Sequence, residues 1–430
     1  MLKKKNILLK NGRVIDPING IDSISDVLII DGMISMLSQS IKPEYEDIEV
    51  VDVSRKIVVP GLIECHVHLR EPGYEDKETI ETGSRSAAKG GFTTIICEPN
   101  TNPPIDEIEA VENLMGRIKD KALVNIYTKA CITKSSKGEA LTDIEKLGGH
   151  SGVVAFSDDG NPVLKKGLME KGLSLAELNK KPLSPHCEDS ASLSVKDFSE
   201  AELGFSPGKI FENEANFISR DIGYARSTGC HVHFSHVSLR ESIDHIRKWK
   251  GVVNITCETT PHHLLLDRSY RDISGEVPNV NPPLRSQDDV ESIKKGLCEG
   301  VIDVIASDHA PHTVDDKKAG APGVIGMETT LGLIFNELVR PGIISLKDAI
   351  IKMSTNPAKI FKIPGGSLLP GTSADVTIID MDKEWEVDVN NFESKSRNSP
   401  FQGWKLKGQA VMTIVAGKIV MKDGVVIRHR

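Results

Sequence analysis

Short apolar runs alternate with helical stretches through the middle of the chain, and this alternation restricts the fold more than any other feature. Repeated strand–helix units predict a parallel sheet that is covered by helices. We expect eight strands, at Leu62–His68, Thr93–Cys97, Leu123–Ala130, Val153–Ser157, Leu183–His186, His231–His236, Val253–Cys257 and Val301–Ser307. Intervening helices are expected at Thr79–Lys89, Glu107–Lys119 and Ser286–Cys298. Eight such units predict an α/β fold of the (β/α)₈ TIM-barrel class. An open doubly wound sheet is the alternative, but its Gly-rich phosphate loop is missing from the sequence.

Both chain ends have the pattern of antiparallel β-structure. Asn11-Gly12, Asp31-Gly32 and Asp423-Gly424 lie between apolar runs, and these dipeptides are strong hairpin signals. We expect residues 1–56 and 366–430 to form a small composite β-sandwich domain. Residues 57–365 would then form the barrel domain.

Composition excludes several classes of protein. The chain has 430 residues and a net charge of −8 without a dense basic stripe, which argues against nucleic acid and anionic membranes as partners. No apolar run approaches the ~18 residues that span a bilayer. Seven cysteines without a CxxC pair argue against a disulfide scaffold or a cysteine zinc site. A reducing cytoplasm is therefore the predicted compartment.

His66-Val67-His68 closes the first predicted strand. Alternate residues of a strand point to the same side, so both imidazoles would face the mouth of the barrel, where barrel active sites lie. Two imidazoles on one side can chelate one metal ion. An HxH pair alone is weak evidence for a metal site, and it gains weight from the other strand ends.

Further residues of metal-ligand type follow four other predicted strands. They are Asp158-Asp159 after the fourth strand, His186 at the fifth, His231, His233 and His236 at the sixth, and Asp308 after the eighth. His231 and His233 share one face of their strand, and His236 lies on the other face or just beyond the strand end, so the three cannot all bind one centre. Imidazole and carboxylate ligands without thiolate favour zinc, with manganese or cobalt as alternatives. Six such ligands indicate two metal ions that share a carboxylate and a hydroxide.

Several motifs of this chain together resemble the dihydroorotases of the amidohydrolase superfamily, in particular the bacterial class I type. The motifs are Pro60–Gly73, Pro99–Pro103, Phe156–Gly160, His236–Ser238, Asn281–Arg285 and Asp308–His312. The resemblance covers nearly the whole chain, including the divided β-domain.

The resemblance implies two zinc ions and assigns their ligands. One ion would be held by His66, His68 and Asp308, the other by His186 and His236, with Asp159 and a hydroxide bridging them. Many relatives bridge the metals with a carboxylated lysine on the fourth strand. Val153–Ser157 contains no lysine and Asp-Asp follows, which matches the class with an aspartate bridge and counts against hydantoinases and allantoinases. Asp158 remains the alternative to Asp159.

The resemblance also implies how substrate would be held. The substrate carboxylate would be bound by Arg70 and Asn100, with help from His312. Asn281 and the backbone of Pro322 and Gly323 would hold the ring amide, and His68 would contact substrate as well. The sequence departs from the family at Glu98, where an apolar residue is usual, and at Pro322, where an aromatic residue is common.

The implied activity is the reversible, metal-dependent cyclisation of N-carbamoyl-L-aspartate to L-dihydroorotate and water, in de novo pyrimidine (UMP) biosynthesis. Asp308 would take a proton from the nucleophile and deliver it to the leaving nitrogen. The alternatives are another cyclic amidase, of the hydantoinase or allantoinase kind, or an inactive structural partner of aspartate carbamoyltransferase. Inactive partners of that kind lack the metal histidines, whereas this chain has them. A homodimer and a complex with aspartate carbamoyltransferase are the implied assemblies.

Overall fold

The computed structural model describes residues 6–42, 47–188 and 214–427. Its strands are β1 Asn6–Asp16, β2 Ile21–Ile30, β3 Met33–Ser38, β4 Ile48–Asp52, β5 Ile57–Pro60, β6 Leu62–Val67, β7 Phe92–Cys97, β8 Asn125–Ala130, β9 Val153–Phe156, β10 Val232–Phe234, β11 Ile255–Thr259, β12 Val304–Ile305, β13 Val376–Glu386, β14 Lys405–Val415, β15 Lys418–Lys422 and β16 Val425–Val426. Its α-helices are α1 Ile80–Gly90, α2 Ile108–Lys121, α3 Ile144–Gly149, α4 Lys166–Leu178, α5 Glu214–Thr228, α6 Arg240–Trp249, α7 Pro261–Leu265, α8 Gln287–Cys298, α9 Val314–Lys318, α10 Met327–Ile334, α11 Leu346–Ile350 and α12 Asn356–Phe361.

Strands from both chain ends form one sheet. Nine described strands belong to it, in the order β16-β15-β14-β13-β5-β1-β2-β3, with β4 paired to β1. The two ends meet at β5, which runs parallel to β1 and antiparallel to β13. Its core is a buried apolar cluster to which both ends contribute, including Ile7, Leu9, Ile378 and Ile414.

Two of the three predicted hairpin turns connect strands of this sheet. Asp31-Gly32 joins β2 to β3 and Asp423-Gly424 joins β15 to β16, all four residues at positive φ. The prediction at Asn11-Gly12 is wrong, because β1 continues through both residues with a shift of register against β2. Asn11 has a φ of 64°, and a β-bulge uses a left-handed residue just as a hairpin turn does.

The middle of the chain has an α/β arrangement of parallel strands. β6, β7, β8 and β9 form one parallel group, and β10, β11 and β12 form another. Leu183 bridges the two groups by pairing with Phe156 on one side and Val232 on the other. On the opposite edges of the two groups, Val67 of β6 pairs with His309, which follows β12. The middle segment thus brings the carboxyl ends of β6, β9, β10 and β12 to one side of the molecule.

The predicted strand Leu183–His186 is reduced to the paired residue Leu183. Pro182 and Pro185 flank Leu183 and Ser184, and proline cannot donate to a strand ladder. The segment therefore runs between its neighbours without continuous pairing, although its position in the sheet order agrees with the prediction.

The predicted helices form within two residues of their expected bounds. Thr79 caps α1 by accepting from Thr82 N, and Ser286 caps α8 by accepting from Asp289 N. α1 comes so close to α10 that a Cβ atom on Gly90 would lie 2.2 Å from the Met327 carbonyl oxygen. Among the helices of the described residues, none has the length and apolar character to cross a membrane.

Candidate metal centre

Four histidines and two aspartates predicted as ligands come together at the carboxyl ends of the parallel strands. Two of the histidines and Asp308 form the first group. Asp308 Oδ1 lies 3.3 Å from His68 Nε2 and 3.7 Å from His66 Nε2. The three side chains are buried, and their ligand atoms are close enough together to hold one ion.

A second group surrounds Asp159. Its Oδ1 atom lies 3.5 Å from His186 Nδ1 and 3.5 Å from His236 Nε2. The same oxygen lies 3.4 Å from His66 Nε2, while Oδ2 lies 3.6 Å from His68 Nε2. The two oxygens of one carboxylate therefore reach both groups of histidines.

Asp158 is placed quite differently from Asp159. Its carboxylate accepts hydrogen bonds from the backbone N–H groups of Ile132 and Thr133 and from the hydroxyls of Thr133 and Ser136. These bonds hold the loop after β8 against the end of β9. Asp158 thus organises the turn, and the next residue along the chain faces the histidines.

Left-handed backbone conformations direct three of the side chains. φ is 62° at Arg70, 35° at His236 and 47° at Asp308. Such values are strained for residues other than glycine and occur most often at functional sites. At each position the chain turns away from the strand direction where its side chain enters the centre.

His66 is prepared for a metal ion by its hydrogen bonding. Its Nδ1–H donates to Glu258 Oε1 over 2.6 Å, which leaves Nε2 as the nitrogen with a lone pair. Nε2 is buried and has no hydrogen-bond partner among the described residues, although three carboxylates lie within 4 Å of it. A divalent cation is the partner that suits this environment, so the residues present fit the implied metals.

The two aspartates of the centre are ionised. Burial would raise the pKa of Asp159, but the imidazoles of His66, His186 and His236 lower it well below its ordinary value. Burial would likewise raise the pKa of Asp308, but the adjacent imidazoles of His68 and His66 lower it well below its ordinary value. Both carboxylates are therefore available as ligands and proton acceptors near neutral pH.

Sequence reasoning missed the buried acids beneath the centre. Glu258 accepts from His66, from His233 Nε2 at 3.1 Å and from Cys65 Sγ at 3.0 Å. Cys65, His233 and Glu258 are near enough to bind an ion themselves, but these hydrogen bonds already satisfy them. The sequence does contain a signal for Glu258, because an acidic residue stands there within or beside an otherwise apolar strand.

Glu64 is the second missed acid. Burial raises its pKa to about 8, even though it accepts hydrogen bonds from the backbone N–H groups of Ser307 and His66. These two bonds tie the segment before Asp308 to β6, and so fix the distance between the ligands of the first group.

A cavity of about 690 Å³ opens onto the centre. Its wall includes every residue predicted to bind substrate, namely His68, Arg70, Asn100, Asn281, His312, Pro322 and Gly323. Arg70 donates to the Pro311 carbonyl oxygen and lies 3.3 Å from His312 Nε2. Within the described ranges Arg70 has no acidic side chain at ion-pair distance, so its guanidinium can receive an anion from the cavity.

Another cavity, of about 900 Å³, lies at the opposite ends of the strands. Tyr127, His150 and Lys181 are among its lining residues, and no group of metal-ligand residues found in the described chain belongs to it. The smaller cavity is therefore the candidate site, because the perturbed and convergent groups open into it.

Comparison with known proteins agrees with this geometry. Residues 55–242 match the family model described as "Dihydro-orotase-like". The chain is 44% identical to the dihydroorotase of Citrifermentans bemidjiense, over 96% of this chain and 99% of that protein. It is 43% identical to the dihydroorotase of Pelotomaculum thermopropionicum, over 98% of this chain and 99% of that protein.

Solved structures of cyclic amidohydrolases share the fold. The L-hydantoinase of Arthrobacter aurescens superimposes with a TM-score of 0.87 at 25% identity, covering 98% of this chain and 97% of that one. The dihydropyrimidinase of Brevibacillus agri NCHU1002 superimposes with a TM-score of 0.84 at 20% identity, covering 98% and 96%, and supports the fold alone. The α/β prediction is confirmed by these likenesses.

Proposed function

The chain belongs to the dihydroorotase family of cyclic amide hydrolases, and we propose that it interconverts N-carbamoyl-L-aspartate and L-dihydroorotate at the centre described above. In the direction of ring closure this reaction is a step of pyrimidine biosynthesis. The observation that carries the proposal is the position of Arg70. Arg70, which has no acidic partner at ion-pair distance in the described part of the chain, faces the same cavity as the histidine–aspartate centre, as a substrate with a carboxylate requires.

We propose two divalent metal ions, with zinc as the metal that the ligands favour. His66, His68 and Asp308 would hold one ion, and His186 and His236 the other. Asp159 would contact both, which the reach of its two oxygens supports. Ions in sites of this kind polarise a carbonyl group and lower the pKa of water toward neutrality.

The residues around the metals would divide the remaining tasks. Arg70, Asn100 and His312 would bind the carboxylate of the substrate, and His68 would contact it from the metal side. Asn281 and the backbone of Pro322 and Gly323 would hold the ring amide. All of these groups face the one cavity, which supports their common role.

Asp308 would move the proton of the reaction. In ring opening, its carboxylate takes a proton from the attacking water and delivers it to the ring nitrogen as the carbon–nitrogen bond breaks. In ring closure, the same carboxylate takes the proton from that nitrogen and returns it to the departing water. Its position supports this role, because Asp308 lines the cavity that opens onto the centre.

We also propose that the parallel strands close into a (β/α)₈ barrel. The pairings of Leu183 with Phe156 and Val232, and of Val67 with His309, support a continuous ring of strands. Residues 1–56 and 366–430 would form the composite β-domain and 57–365 the barrel domain. Ile57–Pro60 pairs with β1 and β13, so the boundary suits a position just after Pro60.

Hydrolysis of a hydantoin or dihydropyrimidine is the second candidate function, which the similarity to the L-hydantoinase structure favours. The experiment is to load the purified protein with zinc and follow ring opening of L-dihydroorotate, hydantoin and allantoin in parallel. We expect turnover of L-dihydroorotate with little or none of the two uncharged rings. A preference for hydantoin would make hydantoin hydrolysis the better supported of the two candidate functions. A protein that retains no metal by elemental analysis would contradict both.

A further inference from the structure

Glu98 and Lys129 form a buried ion pair directly beside the metal centre. Glu98 follows β7, and Lys129 lies near the end of the neighbouring parallel strand β8. Cys97 pairs with Thr128 in the ladder between these strands, so the next residues stand side by side. Both side chains are fully buried, and Lys129 Nζ contacts Glu98 Oε1.

The pair has a definite orientation. Glu98 Oε1 lies 3.6 Å from His66 Nε2, the nitrogen that faces the metal centre. The Lys129 ammonium lies over the ring of Phe361, 5.9 Å from its centroid. Phe361 belongs to the apolar cluster below the centre, with Ile63 and Ile96. The negative end of the pair therefore faces the centre, and the positive end rests in the apolar layer.

Folding stability alone does not account for such a pair. The cost of removing two charges from water offsets most of their attraction, so apolar side chains of similar size usually serve the fold equally well. Glu98 Oε1 contacts the Lys129 ammonium, whereas Oε2 has no partner among the described residues, so the carboxylate retains capacity for a cation.

We propose that Glu98 is a positioning residue that strengthens binding of the metal ion held by His66, and that Lys129 holds the Glu98 carboxylate in place. The inference rests on the proposed function, because it concerns the metal centre assigned there. Glu98 would act through its charge, because its Oε1 atom lies 3.6 Å from the His66 nitrogen that would bind the cation. The Lys129 ammonium would repel the same cation, but the Glu98 carboxylate is the end of the pair that lies nearer to His66, so the attraction by Glu98 is the larger effect.

Metal affinity, measured apart from catalysis, tests the inference. The metal-free parent protein and the double variant Glu98→Met/Lys129→Met are titrated with zinc against a chromophoric chelator. We expect the double variant to fold with the circular dichroism of the parent and to bind its tighter zinc ion about 10- to 100-fold more weakly. The matched control is Lys250→Met/Asp303→Asn, which removes an ion pair away from the centre and should leave zinc affinity unchanged.

The outcomes separate this inference from the proposed function. A parent that binds no zinc overturns both. A parent that binds two ions, together with a folded double variant that binds them equally tightly, overturns the inference and leaves the proposed function standing. If the double variant does not fold, Glu98→Asp and Glu98→Gln decide, because the aspartate keeps the charge and the amide does not. Equal affinity in these two variants overturns the inference, and weaker binding by the Gln variant alone supports it.

Discussion

Two histidines of the centre, His66 and His68, each direct Nε2 into the centre because Nδ1 is already hydrogen-bonded. His66 Nδ1 bonds to Glu258, and His68 Nδ1 lies 3.0 Å from Asn100 Oδ1. The ring of His186 is held at both nitrogens, with Nε2 3.2 Å from Asn281 Nδ2 and Nδ1 3.2 Å from His236 Nε2. Residues that contact a metal histidine from behind fix its orientation, so Asn100 and Asn281 support the metals as well as the substrate.

Replacing the proposed proton carrier separates chemistry from substrate binding. Asp308→Asn keeps the shape of the side chain but removes its basicity, so we expect the turnover number to fall by about 10²- to 10⁴-fold. Substrate affinity, measured calorimetrically on the zinc-loaded variant, should stay measurable. Metal content must be determined alongside, because Asp308 is also a proposed ligand. Near-parental turnover with full zinc occupancy would show that another group moves the proton.

Arg70 should distinguish charged from uncharged substrates. Arg70→Gln removes the cation that would pair with the substrate carboxylate, so we expect kcat/KM for L-dihydroorotate to fall about 10²-fold or more. Any activity on hydantoin, which lacks this carboxylate, provides the internal control and should change little. An equal loss on both substrates would mean that Arg70 supports the cavity and does not select the substrate.

At the scale of elements, the sequence predicted strands well where apolar runs are continuous and less well where backbone chemistry decides. β6, β7, β9 and α8 lie within two residues of their predicted bounds. Leu183–His186 has the composition of a strand, but its prolines interrupt pairing. The Asn11 bulge could not be told from a turn, because both use the same left-handed conformation.

The contact between α1 and α10 should make stability depend on pH. Burial raises the pKa of Glu328 to about 7, from an ordinary value of 4.5, although Lys89 lies 3.5 Å away. Between these values the folded state holds a proton that the unfolded chain has released, so stability falls as pH rises through this window. The expected fall is up to about 3 kcal/mol.

Urea unfolding at pH 5, 6, 7 and 7.5, at one fixed zinc concentration, measures this dependence in the parent and in Glu328→Gln. The difference between the two proteins isolates Glu328 from the other carboxyls. We expect the difference to change steadily over this range and to level off above pH 7. Parallel pH profiles would contradict a raised pKa at Glu328.

At the scale of the whole molecule, the composite sheet is fastened to the parallel strands by buried hydroxyls. Thr377 on β13 donates to the Gly91 carbonyl oxygen over 2.6 Å and accepts from Leu62 N at 3.2 Å. Thr413 on β14 donates to the Ala88 carbonyl oxygen over 2.7 Å. The first residue of β6, the strand that contains His66, is thus bonded directly to the sheet made by both chain ends.

Thr377→Val should destabilise the whole protein while preserving side-chain shape. The change leaves Leu62 N–H and the Gly91 carbonyl without a buried partner, so we expect a loss of about 2–4 kcal/mol in the free energy of unfolding. Equilibrium urea unfolding measures it, with Thr372→Val as the control. Thr372 makes an exposed hydrogen bond, and its variant should lose less than about 1 kcal/mol. Equal losses in the two variants would show that the buried Thr377 hydrogen bonds stabilise the protein no more than the exposed hydrogen bond of Thr372.

The centre could be predicted from sequence to the extent that its residues lie at strand ends. His66, Asp159 and Asp308 are brought together because parallel strands share one carboxyl side. Glu258, Glu64 and Lys129 were missed, since a charged residue among apolar ones does not reveal which charge on a distant strand will neutralise it. Their partners are set by the order of strands around the sheet, which only the structure supplies.

The pairing of β5 with β13 has a consequence for synthesis of the protein. One edge of β5 pairs with β13, a strand that begins at Val376, more than 300 residues later in the chain. While the ribosome is still making the middle segment, this strand has an open edge, which is a site for improper association of nascent chains. Final assembly of the sheet therefore follows translation of β13, and this slow, long-range closure is the step at which a chaperone would protect the chain.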